Sequence, residues 1–313
     1  MKILIVDEMH PSLIDMLTTN GWEFDYAPSL KRTEILEQVG PYEGLMIRSK
    51  TVVDVEFLDK APSLKFIARA GAGLDLIDLE EVERRGIAVF HAGEGNRDAV
   101  AEHVLGMLLA LFNNIIRADR QVRNYVWKRE ENRGVELMGK TVGLIGYGNN
   151  GGATAKRLSG FGCRVLAYDK YKENYGDAYA QECSLEEIQD QADIISLHIP
   201  LTTSSYHLID KAFIDRMAKP FYLVNASRGE VADLTAVVNG LKSGKIKGAC
   251  LDVLENEKLH TLTPAQKEVF EYLIQSDQVV FTPHVGGWTH ESYVRINEVL
   301  VRQLNEWRSR LNL

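Results

Sequence analysis

Residues 144–158, LIGYGNNGGATAKRL, place a glycine-rich turn between an apolar run and a helical pattern. Gly146, Gly148 and Gly151 have the spacing GxGxxG, and the apolar run TVGLI leads into them. The next apolar run, RVLAYD, ends in Asp169, 18 residues after Gly151. A strand, a glycine turn, a helix and a second strand that ends in an acid are typical of a dinucleotide-binding βαβ unit.

Each part of this turn has a physical role. The first glycine permits the tight turn, the second lets the backbone approach a pyrophosphate, and the third allows close packing of helix on strand. The N–H groups at the helix start attract the anion, and Asp169 accepts hydrogen bonds from ribose hydroxyls, which favours NAD over NADP. Lys170 and Lys172 follow the acid, and their positive charge leaves NADP as an alternative cofactor. A second alternative is a purely structural turn that binds no nucleotide.

Short apolar runs alternate with helical patterns along the whole chain. The first series contains KILIVD, GLMIRS, LKFIARAGAG and GIAVFHAG, and the second contains TVGLIGYG, RVLAYD, ADIISLHIP, PFYLVNAS, GACLDV and QVVFTPH. Alternating strands and helices indicate βαβ units and parallel sheets. We therefore predict two α/β domains, with boundaries near residues 95–100 and 285 and a helical connection over 96–126.

Composition narrows the classes of partner. The 313 residues carry a formal charge of −8, with 45% apolar and 26% charged residues, so we expect a globular protein that binds small molecules and no nucleic acid. No apolar stretch has the length and purity of a membrane span. The three cysteines form no CxxC pair, which fits reduced thiols and a cytoplasmic location.

Three polar residues follow the ends of apolar strands in the second series: Arg228 in LVNASRGE, Glu257 in LDVLENEK and His284 in FTPHVGG. Open α/β sheets bind ligands at these strand ends. Histidine suits proton exchange near neutrality, a carboxylate beside it fixes its tautomer, and arginine presents a planar fork to a carboxylate. Taken singly, each of the three residues could instead have a purely structural role.

The ordered motifs GYGNNG, YD, HIPLT, NASRGE, LDVLENE and PHVGG resemble those of the D-isomer-specific 2-hydroxyacid dehydrogenases, and the likeness extends from Lys2 to the final helix. The resemblance implies that Arg228 binds and polarises the substrate carboxylate and keto group. It implies that His284 is the general acid/base and that Glu257, not Glu255, is its partner.

The resemblance also implies NAD as the cofactor, no metal, and two further sets of binding residues. The cofactor set is Gly146, Gly148, Asn149, Asn150, Gly151, Asp169, Ile199, Pro200, Ala226, Ser227, Asp252, Gly286 and Gly287. The substrate set is Arg48, Ser49, Arg69, Ala72 and Gly73, with the backbone N–H groups of the last two on the substrate carboxylate.

The fold that the resemblance implies has two Rossmann-like or flavodoxin-like doubly wound parallel-sheet domains with a cleft between them. A substrate-binding domain comprises residues 1–97 and is completed by 286–313, and an NAD-binding domain comprises 98–285. A homodimer or higher homo-oligomer is implied as well, formed through the helix that begins near Asn96, with Trp127 to Arg129 presented to a neighbouring subunit.

Arg48 and Arg69 occupy positions at which phosphoglycerate-oxidising members of the family carry arginines that face the substrate phosphate. We therefore expect oxidation of D-3-phosphoglycerate to 3-phosphohydroxypyruvate. The alternatives are reduction of a small 2-keto acid such as glyoxylate or hydroxypyruvate, and a non-catalytic NAD sensor or corepressor. Arg48 and Arg69 would then only pair with nearby acids.

Two positions depart from the family pattern. Lys258 replaces the usual proline after the glutamate, which predicts a differently shaped loop, and Asn150 replaces an apolar residue at the helix start. Asparagine is a favoured residue at a helix N-terminus. We therefore expect Asn150 to lie at the edge of the cofactor site and to change NAD affinity modestly. The sequence has no extension after the last helix, and we expect no regulatory domain.

Overall fold

The computed structural model describes residues 1–311. The chain divides into two compact units. Unit 1 is Met1–Asn96 together with the C-terminal segment that begins at Trp288, and unit 2 is Arg97–Gly287. Every strand pair in the two sheets is parallel. The predicted α/β class with two doubly wound parallel sheets is confirmed.

Unit 1 begins with five strands that alternate with four helices. They are β1 (Lys2–Ile5), α1 (Ser12–Thr19), β2 (Glu23–Tyr26), α2 (Arg32–Gln38), β3 (Gly44–Ile47), α3 (Val55–Lys60), β4 (Phe66–Arg69), α4 (Leu79–Arg84) and β5 (Ala88–His91). The strand order is β2-β1-β3-β4-β5, the flavodoxin-like order. β3 is buried at all four positions because helices cover both faces of the sheet.

Unit 2 has seven strands. Its elements are α5 (Arg97–Phe112), α6 (Ile115–Arg123), β6 (Thr141–Ile145), α7 (Asn149–Leu158), β7 (Arg164–Tyr168), β8 (Gln181–Glu182), α8 (Leu185–Gln191), β9 (Ile194–Leu197), α9 (Lys211–Arg216), β10 (Phe221–Asn225), α10 (Leu234–Ser243), β11 (Ile246–Leu251), α11 (Pro264–Gln275) and β12 (Val279–Phe281). The strand order is β12-β11-β10-β9-β6-β7-β8. The carboxyl ends of these parallel strands meet at one edge of the sheet, where ligands bind in such folds.

The last helix, α12 (His290–Arg310), returns the chain to unit 1 and packs against α1. Leu300 and Leu304 are fully buried in the same apolar cluster as β1 and β4. The Trp22 indole N–H donates to the Asn305 side-chain oxygen over 2.9 Å, which ties the two ends of the chain together.

The helical pattern over 96–126 is two helices rather than one. α5 ends at Phe112 and α6 begins at Ile115, with a bend of 60° between them. Asn114 has φ 53° at the break, a left-handed conformation that asparagine tolerates. Within residues 1–311 no single helix is long and apolar enough to span a bilayer, and only this bent pair reaches that length and composition.

Candidate active site

The glycine turn lies between β6 and α7 and requires glycine at two positions. Gly146 has φ 97°, and a Cβ there would overlap the carbonyl oxygen of His198. A Cβ on Gly151 would overlap the carbonyl oxygen of Gly146, whereas Gly148 has open space beside it. The turn therefore brings the first N–H groups of α7 to the strand end, which fits the pyrophosphate of a dinucleotide.

Asp169 follows β7 and braces the turn. Its carboxylate accepts the N–H of Tyr147 over 2.9 Å and that of Tyr171 over 3.0 Å. The ammonium of Lys172 donates to the Tyr147 carbonyl over 2.7 Å. A carboxylate oxygen has more than one acceptor site, so Asp169 retains capacity for ribose hydroxyls.

A cavity of about 330 Å³ opens beside this turn. Five residues of the predicted cofactor set line it: Gly146, Gly148, Asp169, Ile199 and Pro200. Other lining residues were not predicted from the sequence, among them His198, Tyr171, Thr202, Ser204, Ser205 and Leu208. Apolar walls with an acid at one end fit an adenosine group.

His198 lies directly after β9 and under the glycine turn. Burial lowers the pKa of its imidazole to about 4, so the ring is neutral at pH 7. Nε2 shares a hydrogen bond of 2.9 Å with the Ser196 hydroxyl. The motif HIPLT contained this residue, but nothing in its spacing pointed to a role beneath the turn.

The two asparagines of the turn differ in environment. Asn149 is exposed at the start of α7. The side-chain oxygen of Asn150 is buried, and no donor for it is found among residues 1–311. An acceptor in this state costs free energy unless a ligand or a solvent molecule satisfies it.

The loop after β10 carries Arg228. The buried Asn225 shapes this loop, because its side-chain oxygen accepts both the N–H and the hydroxyl of Ser227 over 3.1 and 2.9 Å. Its amide group also donates to the Arg228 carbonyl over 2.9 Å. The Arg228 guanidinium donates back to the Ser227 carbonyl over 2.7 Å. Ala226 is part of the same turn and packs against the apolar cluster below it.

The loop after β11 begins with Asp252, whose side chain is only 2% exposed. One carboxylate oxygen accepts the Thr282 hydroxyl over 2.6 Å and the Val285 N–H over 2.9 Å, and the other accepts the Gly286 N–H over 2.8 Å. The imidazole Nε2 of His103 lies 3.4 Å away. Asp252 therefore fixes the loop after β12 through the chain's own donors.

These donors set the pKa of Asp252. Burial by itself raises the pKa of this carboxyl, but hydrogen bonds from His103, Thr282 and the two backbone N–H groups outweigh burial and lower the pKa to about 2. The carboxylate is therefore ionised at neutral pH.

His284 and Glu257 form a pair in the loops that Asp252 connects. The imidazole Nδ1 lies 2.9 and 3.1 Å from the two Glu257 oxygens. The His284 N–H donates to the Asp252 carbonyl over 2.7 Å and holds the residue at φ 55°, a conformation found most often at functional sites. The carboxylate can only accept, so this contact favours the tautomer with hydrogen on Nδ1, whose acceptor nitrogen is Nε2. The structure places Glu257 against His284, and Glu255 elsewhere.

Unit 1 holds the predicted substrate residues, and a buried acid organises the first of them. The Asp7 carboxylate accepts the consecutive N–H groups of Arg48, Ser49 and Lys50, and the Thr51 hydroxyl. Asp7 ends the apolar run KILIVD, but no sequence signal linked it to residues 41 positions away.

The Arg48 side chain lies on aromatic rings rather than on an acid. Its guanidinium is 3.9 Å from the Trp288 ring centre and 5.1 Å from that of Tyr293, and it donates to the Tyr293 hydroxyl over 3.2 Å and the Glu8 carbonyl over 3.4 Å. Within the described chain, no carboxylate pairs with it. The alternative that Arg48 only pairs with nearby acids is therefore not supported.

The other substrate residues lie in and after β4. The Arg69 guanidinium packs against Gly71 at the end of the strand. Ala72 and Gly73 follow in an irregular loop, and across residues 1–311 no protein acceptor takes their N–H groups. Two such donors side by side suit a carboxylate. No cluster of metal-ligating side chains is found in the described residues.

Comparison with known proteins agrees with these features. Residues 105–286 match the family described as D-isomer specific 2-hydroxyacid dehydrogenase, NAD binding domain. The chain is 34% identical over 306 residues to a D-3-phosphoglycerate dehydrogenase of Archaeoglobus fulgidus, covering 97% of this chain and 56% of that protein. It is 38% identical over 287 residues to a glyoxylate reductase of Thermofilum pendens, covering 90% and 82%. The chain thus spans little more than half the length of the first relative.

A solved structure shows the same likeness. The D-lactate dehydrogenase of Aquifex aeolicus, complexed with NAD and lactic acid, superposes with a TM-score of 0.83 at 27% identity. The alignment covers 99% of this chain and 96% of that one.

The lowered pKa of Asp252 predicts how stability depends on pH. The folded pKa lies below the ordinary value of 3.8, so the carboxylate contributes its full stability above that value and loses it as pH falls toward 2. Asp252→Asn should lower the free energy of unfolding by about 2 kcal/mol at pH 7. The difference from wild type should shrink between pH 4 and pH 3. Urea unfolding at pH 7, 4 and 3 measures this.

The matched control is Asp215→Asn, which removes an exposed partner of Lys211 in the same unit and should change stability by less than about 1 kcal/mol. Parallel pH curves for wild type and Asp252→Asn would show that the buried carboxylate does not control the loop.

Proposed function

The chain belongs to the D-isomer-specific 2-hydroxyacid dehydrogenase family, and we propose that it oxidises a D-2-hydroxy acid by hydride transfer to NAD. The observation that carries this proposal is the pairing of His284 with Glu257 at 2.9 Å. A histidine oriented by a carboxylate at a strand end is the group that such a reaction needs to take up a proton.

Unit 2 is proposed to bind the cofactor. The glycine turn, the α7 N-terminus and Asp169 fit a dinucleotide, and the Asp169 carboxylate disfavours a phosphate on the ribose. When bound, NAD supplies the acceptor for the hydride that leaves C2 of the substrate. The proposed NAD-binding domain is 98–285, and the substrate-binding domain is 1–97 completed by 286–313.

His284 is proposed to accept the proton that leaves the substrate hydroxyl. Nε2 accepts the proton of the C2 hydroxyl as the carbonyl forms, and the Glu257 carboxylate stabilises the resulting imidazolium through Nδ1. Arg228 polarises the developing carbonyl oxygen and binds the substrate carboxylate. Within unit 1, the N–H groups of Ala72 and Gly73 are proposed to bind a substrate carboxylate.

D-3-phosphoglycerate is the proposed substrate. Arg48 supports it, because a guanidinium held on two aromatic rings and paired with no described acid keeps its charge for a second anionic group. The second candidate is reduction of glyoxylate, which needs no phosphate site. It is favoured by the relative from Thermofilum pendens, of which this chain covers 82%.

A homodimer is proposed through the helical segment that begins near Asn96, and the exposed apolar surface that supports it lies in residues 115–138. Large apolar side chains are exposed along it: Ile115, Ile116, Val122, Tyr125, Trp127 and Met138. α6 buries none of its residues, and Trp127 is 83% exposed. Apolar surface of this extent is typical of a protein interface.

The base is tested by His284→Ala. With NAD and D-3-phosphoglycerate the wild-type protein should produce NADH absorbance, and the variant should lose a factor of about 10²–10⁴ in kcat because the proton has no acceptor. Its NAD dissociation constant should stay the same. The control is His290→Ala, which changes an exposed histidine at the start of α12. Equal turnover by His284→Ala and wild type would refute the role of the base.

The substrate is tested by Arg48→Ala and Arg69→Ala. Each should raise the KM for D-3-phosphoglycerate about 10–100-fold, the cost of one charge-assisted hydrogen bond, and leave the KM for glyoxylate nearly unchanged. Arg32→Ala, which breaks surface pairs in unit 1, is the control. If neither variant affects D-3-phosphoglycerate and glyoxylate is reduced faster, the phosphate assignment is wrong.

The interface is tested by Ile116→Asp and Val122→Asp together. A buried pair of carboxylates opposes association, so sedimentation should show a dimer for wild type and a monomer for the variant. The same substitution at the exposed Leu79 of unit 1 is the control. A wild-type monomer at micromolar concentration would contradict the dimer.

A further inference from the structure

A second histidine–glutamate pair lies in unit 2, away from His284. The imidazole Nε2 of His207 is 2.6 Å from one oxygen of Glu255. The other oxygen accepts the N–H of Leu234, the first residue of α10, over 3.1 Å. One carboxylate thus bridges two separate segments to the loop that carries it.

Two of the joined segments, the loop of Glu255 and the segment that leads into Leu234, also carry proposed catalytic groups. Glu255 precedes Glu257 by two residues in the loop after β11. The segment from Arg228 to Leu234 packs against that loop at Gly229, where a Cβ would overlap the backbone of Leu254. The bridge therefore lies between the loop of Arg228 and the loop of Glu257.

His207 is itself held in place. Its backbone N–H donates to the Glu230 carbonyl over 2.8 Å, and Ile209 donates to the Val231 carbonyl over 3.0 Å. The ring stacks on Tyr206, with centres 4.1 Å apart and planes 17° apart. His207 also has φ 49°, which only a well-determined environment maintains.

Packing alone does not fix the loop after Glu255. A cavity of about 190 Å³ lies beside it, lined by Glu255 and by apolar residues of the loop and of α11, among them Leu259, Leu262 and Phe270. A space of this size leaves the loop room to shift if the hydrogen bonds are removed.

We propose that Glu255, together with His207, is a positioning group that sets Arg228 and Glu257 at their working separation. The effect on catalysis rests on the proposed function. The contacts of Glu255 with His207 and Leu234, called the clamp below, are a property of the fold. A displacement of about 1 Å at a reacting group costs up to about 10² in rate, so a side chain that never touches substrate has a measurable effect on kcat.

The experiment compares Glu255→Ala, Glu255→Gln and His207→Gln with wild type. Glu255→Ala should lower kcat about 10–100-fold and leave the NAD dissociation constant within about twofold, because the glycine turn is untouched. Glu255→Gln keeps an acceptor for the Leu234 N–H and should recover part of the loss. The double variant Glu255→Ala/His207→Gln should be no slower than Glu255→Ala, since one bridge is lost in either case.

Asp215→Ala is the control for loss of an acid from the surface of the same unit, and should leave kcat unchanged. All variants are assayed at least 15 °C below their unfolding temperature. A loss of stability with normal kcat would overturn the positioning role, and so would additive effects in the double variant.

Hydrogen exchange separates this inference from the proposed function. In Glu255→Ala the amides of residues 228–234 and 252–258 should exchange faster than in wild type, while those of β6 and α7 should not change. Unchanged exchange in both loops overturns the clamp. If the wild-type protein oxidises no D-2-hydroxy acid, the proposed function fails, and the exchange result still decides whether the clamp exists.

Discussion

The buried carboxylate of Asp252 is the contact on which the proposed site depends. Asp252 directly follows β11, the strand next to the edge strand β12, and its carboxylate accepts hydrogen bonds from Thr282, Val285 and Gly286 in the loop after β12. That loop includes His284, which has φ 55° and whose backbone N–H donates to the carbonyl groups of Asp252 and Thr282. The Asp252 carboxylate thus holds the residues on either side of His284, its backbone carbonyl accepts the His284 backbone N–H, and Glu257 lies against Nδ1 of the imidazole. Four hydrogen-bond donors outweigh the cost of burying the Asp252 carboxylate, and the pKa of this carboxyl is therefore lowered.

In unit 1, too, a buried carboxylate after a strand orders a loop by accepting its N–H groups. Asp7 follows β1 and accepts three consecutive N–H groups of the loop after β3, which orders the start of the segment that carries Arg48. A strand end offers little regular hydrogen bonding, so a short acid at that point satisfies the neighbouring loop and holds it rigid. Rigid loops on a parallel sheet allow polar side chains to be placed within tenths of an ångström of a working geometry.

The fold was predictable because each strand buried on both faces is a short apolar run and each glycine turn has a fixed spacing. The positions of Arg228, Glu257 and His284 at strand ends followed from the same runs, and their catalytic roles stay predictions. The contacts of Asp7, His198 and the His207–Glu255 pair did not follow, because they join residues distant in sequence and leave no periodic pattern. The break at Asn114 was missed because a helical period continues through it.

In the proposed reaction, C2 of a D-2-hydroxy acid loses a hydride rather than a proton. The most direct measurement uses the D-2-hydroxy acid that the protein oxidises fastest, deuterated at C2, with NAD. We expect one deuterium in the reduced cofactor per turnover, none in water, and none transferred from the L-enantiomer. Deuterium released to water would contradict hydride transfer, since His284 would then act on the carbon and not on the hydroxyl.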